Sequence, residues 1–80
     1  MSSAAADLTA VVRLLVDQPR GVAVETLESE GGARLRLRVA AEDRGQIIGR
    51  RGRTLDALRA LLDARGDGEG RVYDVELLED

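Results

Sequence analysis

The chain has 80 residues and a formal net charge of −3, from 12 arginines against 15 carboxylates, with no lysine, cysteine or histidine. It is one small domain, near the size at which a single core just suffices. Disulfides, thiol or imidazole catalysis and the usual zinc ligands are excluded. Tyr73 is the only aromatic residue, so the stacking platforms of RRM, OB-fold and cold-shock modules cannot be built.

The start MSSAAADL has neither the basic region nor the apolar run of a signal peptide, and no stretch approaches the ~18 apolar residues of a membrane span. The expectation is a soluble, cytoplasmic protein, frayed at residues 1–4. Residues 3–17 are predicted as an amphipathic helix, with Leu8, Val11, Val12 and Leu15 at i, i+3, i+4 and i+7, Ser3 as N-cap and Pro19 as its stop. An extended stretch follows, with Val22, Val24 and Thr26 on one face, and Gly31-Gly32 marks a turn.

Residues 33–40 form the clearest strand: Leu35, Leu37 and Val39 alternate with Arg34, Arg36 and Arg38. AEDRGQII is short and helix-like, with Glu42 and Asp43 at the end that favours acids. A further helix, from about Arg53 to Arg65, carries Leu55, Leu58 and Leu62 on one stripe. GDGEG reads as a flexible polar loop. RVYDVELL closes the chain as a strand, with Tyr73, Val75 and Leu77 opposite Asp74 and Glu76.

The fold class is therefore α+β in the order α-β-β-α-α-β: a three-stranded mixed sheet with three helices on one face. The short turn pairs the first two strands antiparallel. The crossover through two helices makes the last two parallel, with residues 33–40 central.

Positive charge is concentrated in one place. Arg44, Arg50, Arg51 and Arg53 lie in a window, 44–55, that holds no acid; its charge of +4 leaves −7 for the rest of the chain. Gly49 and Gly52 bare the backbone, and a helix that starts near Gly52 points its unpaired N–H groups and positive dipole end at the same place. The arrangement describes a phosphate site; the competing reading is a tight turn between packed helices. It is not a nucleotide-hydrolysing P-loop, which needs a lysine and a preceding strand. The row Arg34, Arg36 and Arg38 reads as a solvated face balanced by Glu25, Asp74 and Glu76, in preference to a nucleic-acid stripe. With its carboxylates scattered and no histidine, the chain is expected not to be an enzyme, and to hold no metal or cofactor.

IIGRRGRTLDAL resembles the KH-domain signature, with Ile48, Gly49, Gly52, Leu55 and Leu58 on its positions. The element order is similar to the type II KH topology over essentially the whole chain, 1–80. The resemblance implies an RNA-binding protein, an RNA chaperone or post-transcriptional regulator, whose GxxG loop clamps the backbone of single-stranded RNA. It implies phosphate contacts around Gly49, Arg50, Arg51, Gly52 and Arg53, with Arg44 beside them. It also implies an apolar groove using Ile47, Ile48, Leu37 and Val39, although Ile48, Leu55 and Leu58 are assigned first to the core. Gly45, at a cost of about 1 kcal/mol inside a helix, either admits a backbone or base or accommodates packing. Partners implied are a homodimer and a heteromer with a larger KH protein of the KhpB (Jag-like) kind. Ala57, Leu61 and Ala64, off the leucine stripe, are either that interface or a broad core-facing side. A pI near 4.9 departs from the basic footprint of most RNA binders, so binding is expected to be weak and salt-sensitive. The alternative is a KH-like dimerisation or adaptor module that works through protein contacts.

Overall fold

Six elements make up the computed structural model, which describes residues 3–79. They are α1 (Ala4–Leu15), β1 (Ala23–Ser29), β2 (Gly32–Arg38), α2 (Arg44–Ile48), α3 (Arg53–Glu69) and β3 (Val72–Leu77). Single 3-10 turns occupy Pro19–Gly21, Ala41–Asp43 and Arg50–Gly52. The class is α+β, and the order is the one expected of a type II KH domain.

Ser3 caps α1 as its position suggests: its Oγ accepts from the Ala6 N–H at 3.0 Å, satisfying a donor the helix cannot. Residues 1 and 2 of the expected frayed start lie outside the described residues, whereas Ala4 is already buried. The helix ends at Leu15, two residues short of the expected end, because Val16 turns extended at ψ 159°. Leu8 and Val12 are fully buried, while Val11 and Leu15 of the same stripe are only partly covered.

Strand β2 is central, antiparallel to β1 and parallel to β3. Its alternation holds throughout: Ala33, Leu35, Leu37 and Val39 are buried, and the arginines between them face away from the core. Arg36 stands in register between Glu25 and Glu76 and pairs with both, at 3.0 and 3.5 Å. Exposed pairs of this kind are worth about 0–1 kcal/mol; their effect here is to neutralise Arg36 at the middle of the row. The hairpin turn is Glu30-Gly31 and not Gly31-Gly32, since Ser29 already pairs with Gly32.

GDGEG is not a loop. The helix runs through it to Glu69, and only Gly70 and Arg71 connect it to β3. Gly66 makes the tight return possible: a Cβ there would lie 2.3 Å from the Arg71 carbonyl oxygen, so its absence lets the returning chain press against the helix. The N–H groups of Gly70 and Arg71 both donate to the Gly66 carbonyl, closing the end with Gly70 at φ 68°. Arg65 joins Asp7 of α1 to Glu69, and the Tyr73 hydroxyl donates to Glu69 at 2.7 Å. That hydrogen bond, followed by burial, holds the phenol above its ordinary pKa.

Candidate functional site

Helix α2 has only five residues, and its last amide bond is Gly49 N–H to Gly45 O at 2.9 Å. The chain then reverses through Gly49-Arg50-Arg51-Gly52 into α3. Gly49 has φ 74°, and a Cβ on it would fall 2.3 Å from Thr54 Oγ1, so glycine is required by conformation and by contact together. Gly52 has the same φ but open space around it. Arg51, between them, is left-handed at φ 57° without being a glycine, which costs an L-residue about 1–2 kcal/mol.

In the 3-10 turn, Gly52 N–H donates to Gly49 O and Arg53 N–H to Arg50 O. An i to i+3 pattern leaves the first N–H groups, those of Arg50 and Arg51, without a partner inside the turn. Arg50, Arg51 and Arg53 are exposed there, at the N-terminal end of the 17-residue α3. Cations at that end oppose the helix dipole, at about 0.3–1 kcal/mol each where exposed. The turn therefore combines a strained arginine, unused amides and three guanidiniums at the wrong end of a helix for stability. An anion relieves the electrostatic part of that cost.

The other residues singled out from the sequence are distributed differently. Arg44 is not at the turn: it opens α2 at the opposite end, with its Nε on Leu78 O at 3.0 Å and its guanidinium 3.8 Å from Glu79. Ile47 is wholly buried and Ile48 is 37% exposed, the reverse of the expected core assignment of Ile48. A five-residue helix is too short for periodicity to set its phase, and Ile47 is the residue whose side falls into the core. Leu37 and Val39, expected to line a groove, are core residues at 0% and 2% exposure and offer no surface to a ligand. Leu58 is buried and Leu55 partly so. Gly45 is exposed, with nothing within 4 Å of where its Cβ would stand, so it accommodates no packing neighbour.

Two clefts flank the first turns of α3. One, of about 340 Å³, lies along the outer edge of β3 and is lined by Arg34, Leu55, Arg59, Asp74, Val75, Glu76 and Leu77. Arg59 reaches across it, its Nε donating to Val75 O at 3.3 Å. The sequence reading missed Arg59; its place one turn beyond Leu55 on α3 was the available signal. The other cleft, of about 460 Å³, lies between α1 and α3 and is lined by Val11, Leu15, Arg53, Thr54, Ala57, Leu58 and Leu61. Leu61 is 48% exposed; Ala64 is exposed further along α3, outside the cleft lining. Among the described residues, no group of three or more His, Cys, Asp or Glu side chains is placed to hold a metal ion, and no helix is long and apolar enough to cross a membrane.

Residues 5–77 match the family model described as KhpA/KhpB, KH domain. The chain is similar to the RNA-binding protein KhpA of Leifsonia xyli subsp. xyli, at 47% identity over 68 residues, covering 85% of this chain and 90% of that one. It is similar also to the RNA-binding protein KhpA of Treponema pallidum, at 42% over 69 residues and 86% of each chain. With the RNA-binding protein KhpA of Listeria monocytogenes serovar 1/2a the identity is 32% over 72 residues, covering 90% of this chain and 95% of that one. No solved structure is matched.

Proposed function

The chain belongs to the KhpA/KhpB KH-domain family, and from that premise we propose that it is a single-KH protein that binds short single-stranded RNA at the turn Gly49–Gly52. The observation that carries this reading is the gathering of Arg50, Arg51 and Arg53 around bared backbone at the positive end of α3. The amides of the turn and the three guanidiniums take consecutive phosphates. Bases lie along the cleft beside β3, where Leu55 and Leu77 give apolar contact and Arg59 and the unpaired edge of the strand give hydrogen bonds. With the one aromatic residue, Tyr73, buried and few base-reading groups, selectivity is low, as suits an RNA chaperone or post-transcriptional regulator working in the cytoplasm.

The test is a titration with short single-stranded RNA over a range of salt, comparing the parent with the double variant Arg50→Asp/Arg51→Asp. The variant loses binding, and its melting midpoint does not fall, because both side chains are exposed and acids suit the start of a helix better than the arginines they replace. For the parent, each phosphate neutralised contributes about 0.7 to the slope of log K against log salt. Equal affinity of parent and variant overturns the reading.

The apolar cleft between α1 and α3, continued by Leu14 at 86% exposure, supports a second role for the same chain, in protein contact. Its occupant is a second copy, with a KhpB-like KH protein as the heteromeric counterpart. Two domains held together double the phosphate contacts, which offsets the weak attraction expected of an acidic chain. Light scattering then reports a dimer that Leu61→Glu dissociates. A monomeric parent that still binds RNA removes this role and leaves the first intact.

A further inference from the structure

Asp43 is 1% exposed and is the one buried polar or charged residue among those described. From the sequence it reads as an acid favouring the start of α2, but its side chain does not cap that helix. It turns back instead to the segment that follows α1: Oδ1 accepts the Asp17 N–H and Oδ2 the Gln18 N–H, both at 3.1 Å. A buried carboxylate is costly unless hydrogen-bonded, and here each oxygen meets one amide of a segment with no regular structure to bond it.

Two neighbours reinforce the join. Gln46, three residues on and hence on the same face of the helix, donates its Nε2 to the Leu15 carbonyl, one of the orphan acceptors at the end of α1. Gln18 Nε2 donates to Glu42 Oε2 at 2.8 Å. On the other side of α2, Ile47 enters the core. The helix itself is five residues long and contains a glycine, far below the length at which a helix holds its own shape. Gly49, the first residue of the binding turn, is bonded to this helix through Gly45.

We infer that Asp43, with Gln46, is a positioning residue for the RNA-binding turn: by clasping α2 to the C-terminal end of α1 it holds Gly49–Gly52 in the conformation that receives phosphate. The inference rests on the proposed function of the turn. It predicts that loosening the clasp lowers the fraction of molecules whose turn is competent, without touching any group that meets RNA.

The test uses the full chain with Asp43→Asn, which keeps one acceptor and sets an amide NH₂ against a backbone N–H. Ala33→Gly, in β2 at the hairpin end, serves as a destabilised control remote from the turn. Both are read well below their melting midpoints. If the turn of Asp43→Asn is competent about one tenth of the time, Kd for short single-stranded RNA rises about tenfold, with an unchanged salt slope. Amide hydrogen exchange at Gly49, Gly52 and Arg53, the bonded amides of the turn, quickens in Asp43→Asn more than the slow amides of β2 do. In Ala33→Gly the residues of the turn exchange no faster than the global loss requires. Unchanged exchange at Gly49, Gly52 and Arg53 in Asp43→Asn overturns the inference, whatever happens to RNA. A parent whose RNA binding ignores the Arg50→Asp/Arg51→Asp change overturns the functional reading instead and leaves the clasp to stand or fall on exchange. If Asp43→Asn does not fold, Gln46→Ala, at an exposed position, carries the same comparison, with a smaller rise in Kd and the same selective exchange expected. A Gln46→Ala protein that matches the parent in both overturns the inference.

Discussion

Replacing Arg51 by glycine separates what the turn costs from what it does. Arg51 sits at φ 57° and ψ 24°, and it is the one positive-φ residue among those described that is not a glycine. Relief of the left-handed conformation returns about 1–2 kcal/mol, and the greater freedom of glycine in the unfolded chain takes back about 0.4–1 kcal/mol. The side chain is exposed and makes no ion pair among the described residues, so nothing else is lost from the fold. With the helix-dipole cost of about 0.3–1 kcal/mol relieved as well, the net stabilisation is about 0.3–2.6 kcal/mol, which at about 4–8 °C per kcal/mol for a domain of this size raises the melting midpoint. RNA binding moves the other way. Removing one phosphate contact lowers the salt slope by about 0.7, or about fourfold in Kd at 0.15 M salt. Thermal unfolding by circular dichroism and an RNA titration at two salt concentrations read the two effects. A variant that melts lower and binds as the parent does refutes the reasoning on both counts, since it makes Arg51 a structural residue of the turn.

Two further expectations concern the other end of the molecule. Gly66→Ala destabilises although alanine is the better helix former by about 1 kcal/mol, because its Cβ meets the Arg71 backbone carbonyl; Gly68→Ala, with open space around it, stabilises by up to that amount. Denaturant midpoints of the two variants on opposite sides of the parent are the check. Tyr73, as the only tyrosine, can be followed by its absorbance alone. Its folded pKa is raised, so the stability it contributes is complete below the unfolded value of about 10 and is lost as pH climbs through the folded value. Tyr73→Phe therefore flattens the fall of the melting midpoint above pH ~10, and an equally steep fall in the variant assigns it to other groups.

The sequence by itself determined a good deal. Strand β2 was legible because alternation has a period of two and cannot be mistaken over six residues, and the arginines it left outward had their acids on neighbouring strands. The cap at Ser3, the central position of β2 and the parallel pairing of β3 followed from local chemistry and connection length. The turn Gly49–Gly52 was legible as well, since its glycines, its lack of acids and the helix after it are all features of adjacent residues.

What only the tertiary structure decided lies where one segment meets another far away in the chain. GDGEG has the composition of a loop, yet it is helix to Glu69, and the glycine at 66 answers to the Arg71 carbonyl, a neighbour that no local signal reports. Ile47 is buried where Ile48 was expected to be, because five residues cannot fix the rotation of a helix and packing against α1 and α3 does so instead. Arg44 shares the charge of the window but leaves the site for Leu78 and Glu79, which β3 brings to it. Asp43 shows the difference most plainly. An acid before a short helix satisfies a local rule, but its carboxylate is taken by two amides more than twenty residues earlier, where the need for hydrogen bonds was greater.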